Sequence, residues 1–166
     1  MSKMRFAAIV SRFNEEVTGG LLEGARRHLA SLSIPLREED VILAPGAFEL
    51  PLLARELARS GRYDGVIALG CVIKGDTAHF EFISLGATIG IQQASLETGV
   101  PIAFGVLTTY TDEQAVARSR NDAHNKGIEA AAACHDSALL LRRIRGRAVK
   151  KSDRSARKGG KSAKGR

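Results

Sequence analysis

Four short apolar runs, each followed by a stretch of helical periodicity, constrain this chain more than any other feature. The runs are residues 5–11, 41–44, 65–69 and 100–107. Each is four to eight residues long and bounded by turn-forming residues, the pattern of a strand buried on both faces. Between the first two, Val17, Leu21, Leu22, Ala25, Leu29 and Leu32 fall at helical spacing, and Ser33-Ile34-Pro35 stops the helix. Asn14 or Thr18 stands where a cap for that helix is needed. A second helical pattern covers 50–58 and closes at Ser60-Gly61, and a third, amphipathic one covers 82–97 and closes at Thr98-Gly99. A short helix at 112–119 and a long one at 125–145 complete the series.

Strictly alternating strands and helices specify a parallel sheet with helices on both faces. Right-handed crossovers then favour the strand order 2-1-3-4, a flavodoxin-like three-layer α/β/α sandwich. Ligands of such sheets collect at the C-terminal strand edge. Here that edge carries Phe13-Asn14, Ala47-Phe48-Glu49, the segment from Cys71 to His79, and the segment from Phe104 onward.

The segment GCVIKGDTAHFEF at 70–82 carries the most chemistry. It joins a buried strand to a helix through Gly70, Gly75 and the polar corner Asp76-Thr77, with His79 at the helix start. Backbone N–H groups at a helix start attract anions. Histidine is the side chain whose charge changes near neutral pH, so it can move protons. Together they suggest an enzyme acting on a phosphorylated substrate. On residues alone, helix capping is the plainer role for His79, a solvated charge for Arg118, and strand-end packing for Phe13. Likewise a dipole-favoured surface carboxylate is the plainer role for Glu49, and a buried filler for Cys71, which has no basic neighbour.

The net charge of +7 suggests a nucleic-acid binder until it is located. Residues 146–166 hold nine Lys or Arg and one Asp, a net +8, whereas 1–145 hold 16 basic and 17 acidic side chains, a net −1. The reading is a near-neutral domain, 1–145, and a basic tail, 146–166, expected to be disordered because 150–166 has no apolar anchors. Cys71 and Cys134 lack CxxC or metal-ligand spacing and read as buried free thiols of a reducing cytosol. The apolar run at 6–10 is too short for a signal peptide, and no run approaches the ~20 residues of a membrane span. A soluble, cytoplasmic protein without membrane contact is expected.

Four loops together resemble one family: RFN at 12–14, PGAFELP at 45–51, GCVIKGDTAHFEF at 70–82, and FGVLTTYTDEQAVARS at 104–119 with NKG at 125–127. In order and at these spacings they are similar to the lumazine synthases, across residues 5 to about 145. That resemblance implies condensation of 5-amino-6-(D-ribitylamino)uracil with 3,4-dihydroxy-2-butanone 4-phosphate to 6,7-dimethyl-8-ribityllumazine. Phosphate and water are released, the step is the penultimate one of riboflavin biosynthesis, and no cofactor or metal takes part. It further implies that Phe13 lies against the pyrimidine, that Asn14, Ala47, Phe48 and Glu49 hold the ring and ribityl chain, and that Val72, Ile73 and Phe104 line the pocket. Gly75, Asp76 and Thr77 would cradle the phosphate and Arg118 grip it, with Lys126 on the phosphate side and His79 transferring protons. Of the other histidines, His28 and His135 read as surface or packing residues, and His124, near Arg118 in sequence, stays ambiguous.

The resemblance also implies sites between adjacent subunits of a homopentamer, with Arg118 reaching the neighbour's Phe13–Glu49 and Gly75–His79 loops. The stretch Ser119-Arg120-Asn121-Asp122-Ala123-His124 departs from the family's usual glycines and lysine, but is not lengthened, which goes with 60-subunit icosahedral shells. Only four residues precede the first strand, so a subunit contact made by a longer N-terminal strand is altered or missing. Riboflavin synthase is a candidate partner, and the basic tail could hold nucleic acid or another anionic cargo weakly. The rival reading is a non-catalytic flavin- or nucleotide-binding module on the same fold.

Overall fold

Successive side chains of a strand point to opposite faces, and in β1 (Phe6–Ser11) they part into two buried layers. Phe6, Ala8 and Val10 join Leu21, Ala25 and Leu29 of α1 (Glu15–Ser31) and Ala131 and Cys134 of α5 (Lys126–Gly159). Ala7 and Ile9 join Leu50, Ala54 and Leu57 of α2 (Leu50–Arg59) and Ile91 and Ala94 of α3 (His79–Thr98). In β3 (Gly65–Ile73), Ile67, Leu69 and Cys71 likewise face the first layer and Val66 and Ala68 the second. The computed structural model describes residues 4–159, with side chains described as far as Gly146.

With β2 (Val41–Ala44) and β4 (Ile102–Thr109), the strands form one parallel sheet of order β2-β1-β3-β4, as expected. A short helix, α4 (Asp112–Ser119), follows β4 on the α1 and α5 side. Five helices on two faces of a four-stranded sheet make the expected flavodoxin-like sandwich. At the N-terminal sheet edge, buried Asp40 accepts hydrogen bonds from Arg5 Nη2 (2.6 Å), Arg5 Nε (3.1 Å) and the Tyr63 hydroxyl (3.0 Å). That cluster ties the starts of β1, β2 and β3 together at the end opposite the ligand edge.

Several boundaries move, and the reasons are tertiary. β3 does not stop at Leu69 but continues to Ile73, because β4 pairs with it as far as Ile73↔Thr109. Gly70 therefore lies in the strand; a Cβ there would meet Leu50 Cδ1 at 3.1 Å and Val106 Cγ1 at 3.3 Å. The turn before α3 shrinks to residues 74–78. The helix α3 is apolar on both sides: Ala87, Ile91 and Ala94 are buried, while Phe82, Leu85, Ile89 and Leu96 are exposed by 55–73%. One apolar face of α3 is thus left uncovered within the chain. The last helix overruns its expected end at 145 and reaches Gly159, since Ala, Lys and Arg favour helix and no proline follows Pro101. The remainder of the expected disordered tail, 160–166, lies outside the described residues. His28 is half-buried, and His135 packs its ring 6.1 Å from that of Phe6. No helix among the described residues is long and apolar enough to cross a membrane.

Candidate active site

At the C-terminal sheet edge, the chain leaves β1 through Arg12-Phe13-Asn14. Asn14 occupies the left-handed region (φ 56°, ψ 54°), which asparagine tolerates better than most side chains. It makes no side-chain cap on α1, contrary to the capping expectation; its Nδ2 crosses to donate to the Cys71 carbonyl of β3 at 3.0 Å. That bond fixes the loop over the sheet and leaves the Phe13 ring 68% exposed.

The next loop rises against it. A Cβ on Gly46 would meet Glu49 Oε2 at 3.0 Å and the Phe13 ring at 3.5 Å, so a glycine here lets the carboxylate and the aromatic face converge. Ala47–Glu49 form a 3₁₀ turn that tips Phe48 onto α3, where a Cβ on Gly86 would meet its ring at 3.0 Å.

Beyond β3, the Lys74 N–H extends the ladder to the Thr109 carbonyl (2.9 Å), and Gly75, Asp76 and Thr77 are exposed in the turn. The His79 N–H donates to Thr77 Oγ1 at 3.4 Å, but the imidazole makes no hydrogen bond to a described residue and α3 has no side-chain cap. Capping, the plainer role for His79, is thus not what its side chain does.

These segments enclose a cleft of 480 Å³ lined by eight of the expected residues: Phe13, Asn14, Ala47, Phe48, Glu49, Val72, Ile73 and His79. Ile83, Cys71 and Asp112 line it as well. Asp112 reads in the sequence as a helix-start carboxylate, and only the packing of α4 over β3 shows that it faces the cleft. The role of Lys74, too, is visible only in the packed turn. Its ammonium pairs with Glu81 at 2.7 Å and lies 5.6 Å and 5.8 Å from the ring centres of Phe80 and Tyr110, clamping the turn to the end of β4. Glu81 holds the Lys74 ammonium above its ordinary pKa, and Lys74 holds the Glu81 carboxyl below its own.

The remaining expected residues fall elsewhere. Phe104, Arg118 and Lys126 line a separate cleft of 510 Å³ along the exposed edge of β4. Arg118 Nη1 donates to the Gln114 carbonyl at 2.9 Å, and no carboxylate among the described residues pairs with it. Lys126 Nζ pairs with Glu129 at 2.7 Å, and Glu129 shares the cleft. Thr109 Oγ1 is buried there without a hydrogen-bond partner among the described residues. Gly75, Asp76 and Thr77 line neither cleft. One chain therefore presents two separate clefts: an aromatic and carboxylate cleft beside His79, and a cationic cleft on the β4 edge.

Cys71 is a filler. Burial first, and the Asp112 charge second, push its thiol up to about 11, while burial pushes Cys134 up to about 12. A thiol-reactive disulfide reagent at pH 8 should label neither until the protein unfolds; rapid labelling of native protein would contradict this. The folded pKa values exceed the ordinary 9.0, so above pH 9 the unfolded chain binds fewer protons than the native one. Stability should therefore fall as pH rises from 9 towards 11 or 12, and urea midpoints at pH 8 and pH 10 measure that loss.

Comparison with known proteins gives one family over most of the chain. The family model described as 6,7-dimethyl-8-ribityllumazine synthase matches residues 3–142. The chain is 64% identical over 145 residues to 6,7-dimethyl-8-ribityllumazine synthase 1 of Caulobacter vibrioides, covering 87% of this chain and 95% of that one. It is 51% identical to the Deinococcus deserti enzyme of that name (85% and 90% covered) and 48% identical to the Salinibacter ruber one (86% and 91%). Both clefts lie inside the matched span, and the chain belongs to the 6,7-dimethyl-8-ribityllumazine synthase family.

Proposed function

We propose that this chain condenses 5-amino-6-(D-ribitylamino)uracil with 3,4-dihydroxy-2-butanone 4-phosphate to form 6,7-dimethyl-8-ribityllumazine. The observation that carries this reading is the 480 Å³ cleft, where the bare Phe13 ring and the Glu49 carboxylate converge beside an imidazole at a helix start. A flat heterocycle stacks on the ring, with Asn14, Ala47, Phe48 and Glu49 about it and its polyol chain. Val72 and Ile73 form the apolar wall. Gly75, Asp76 and Thr77 offer backbone and hydroxyl donors to the phosphate ester.

The 5-amino group adds to the ketone and water leaves, giving an imine. Proton loss from the adjacent hydroxyl-bearing carbon then expels phosphate and leaves an enol, which ketonises; attack of the ribitylamino nitrogen on that new carbonyl closes the ring with loss of a second water. His79 moves the protons; much of the rate comes from holding two reactants together.

Two observations favour a site shared between adjacent subunits, at least a pentamer. Arg118 and Phe104 lie in a cleft separate from His79, and the exposed Phe82, Leu85, Ile89 and Leu96 of α3 give a neighbour an apolar face to cover. A 60-subunit shell in a cytoplasmic setting is the larger assembly we favour, with the net +8 segment 146–166 available to anionic cargo. Incubating the protein with both substrates should produce lumazine fluorescence. Binding without fluorescence would mean a flavin- or nucleotide-binding module instead.

A further inference from the structure

We infer that Asn125 is the positioning residue of the β4-edge half-site, setting Arg118 and Lys126 at the spacing that receives the phosphorylated substrate. The inference rests on the reading of Arg118 as the phosphate ligand.

Asn125 is fully buried in the turn between α4 and α5, where an amide is costly unless every polar atom is paired. Its Nδ2 donates to the carbonyls of Gly20 (2.9 Å), Ser119 (2.9 Å) and Arg120 (2.8 Å), and its Oδ1 accepts from the Gly127 N–H at 2.8 Å. Two N–H bonds reach three carbonyls, so one is shared. The carbonyls of Ser119 and Arg120 belong to the end of α4, which closes with Arg120 in an extended conformation and no glycine. The Asn125 amide takes the place of a helix C-cap there. The segment 119–124, which departs from the family pattern, thereby keeps a defined end.

Three glycines leave this joint no slack. A Cβ on Gly20 would lie 2.4 Å from the Ser119 carbonyl oxygen, one on Gly24 2.1 Å from Asn125 Oδ1, and one on Gly127 1.9 Å from the Leu21 carbonyl oxygen. Helices α1, α4 and α5 thus meet at backbone contact around one amide.

The atoms held are next to the two cations in sequence. Ser119 follows Arg118, and Gly127 follows Lys126. Each cation is already set on its own helix, Arg118 by the Gln114 carbonyl and Lys126 by Glu129. What decides the distance between them is the placement of the end of α4 against the start of α5, and Asn125 bonds both.

Steady-state kinetics of the full chain test this. Asn125→Ala should raise KM for 3,4-dihydroxy-2-butanone 4-phosphate about tenfold, leave KM for the pyrimidine unmoved and change kcat less than about threefold. Gly20→Ala, which keeps Asn125 but pushes the Ser119 carbonyl from α1, carries the same expectation and decides the matter if Asn125→Ala does not fold. In an Arg118→Ala background, Asn125→Ala should raise KM far less than it does alone. An unmoved KM in a folded Asn125 or Gly20 variant overturns the inference, as does an undiminished KM effect in the Arg118→Ala background. Should Arg118→Ala alone leave KM unchanged, the phosphate-ligand reading fails, and a distinct result identifies that failure.

Discussion

Replacing His79 by alanine should lower kcat about a hundredfold or more while leaving turnover measurable, as expected for loss of a general acid–base group. The imidazole stands at the first residue of α3, lines the cleft and has no hydrogen-bond partner among the described residues. It is therefore available to the imine-forming and phosphate-expelling steps, which both move protons. The residual rate comes from a site that still holds both reactants in contact. His79→Gln, which keeps a polar side chain but transfers no proton, should be as slow as His79→Ala. Unchanged kcat in either variant would remove His79 from the mechanism.

Arg118→Ala should raise KM for the phosphorylated substrate by about 10- to 100-fold, the factor that corresponds to a charge-assisted hydrogen bond of about 1.5–3 kcal/mol. Arg118→Lys should recover only part of it, because an ammonium keeps the charge but loses the planar fork that matches phosphate oxygens. The pyrimidine's KM should not follow. An unmoved KM in both variants would return Arg118 to an ordinary exposed helix charge. The neighbouring Lys126 is a weaker candidate, since phosphate would have to compete with Glu129 for it.

Much of this molecule is legible in the sequence because its strands and helices carry different periods. The strand order follows from alternation and handedness, and the first cleft from loops that the topology must bring to one edge. Other features depend on contacts between distant segments. The extension of β3 through Ile73 reflects pairing with β4, and Asn14 is drawn from capping α1 to the Cys71 carbonyl across the sheet. No period distinguishes Phe104 on the bare edge of β4 from Val72 and Ile73 in the cleft. Asn125 reads as a helix start until Gly20, Gly24 and Gly127 are seen closing around it. Helix α3 reads as amphipathic, and only its packing leaves Phe82, Leu85, Ile89 and Leu96 uncovered.

The central claim is that His79 and Arg118 of different chains complete one site. Co-expressing His79→Ala and Arg118→Ala chains tests it, with lumazine fluorescence read at a phosphorylated-substrate concentration far below KM, where each variant alone is slow. In a randomly mixed ring, about one interface in four joins an intact His79 half to an intact Arg118 half, given head-to-tail contacts. The mixture should then recover roughly a quarter of wild-type activity by that count. Activity no greater than the sum of the two variants alone would contradict the shared site.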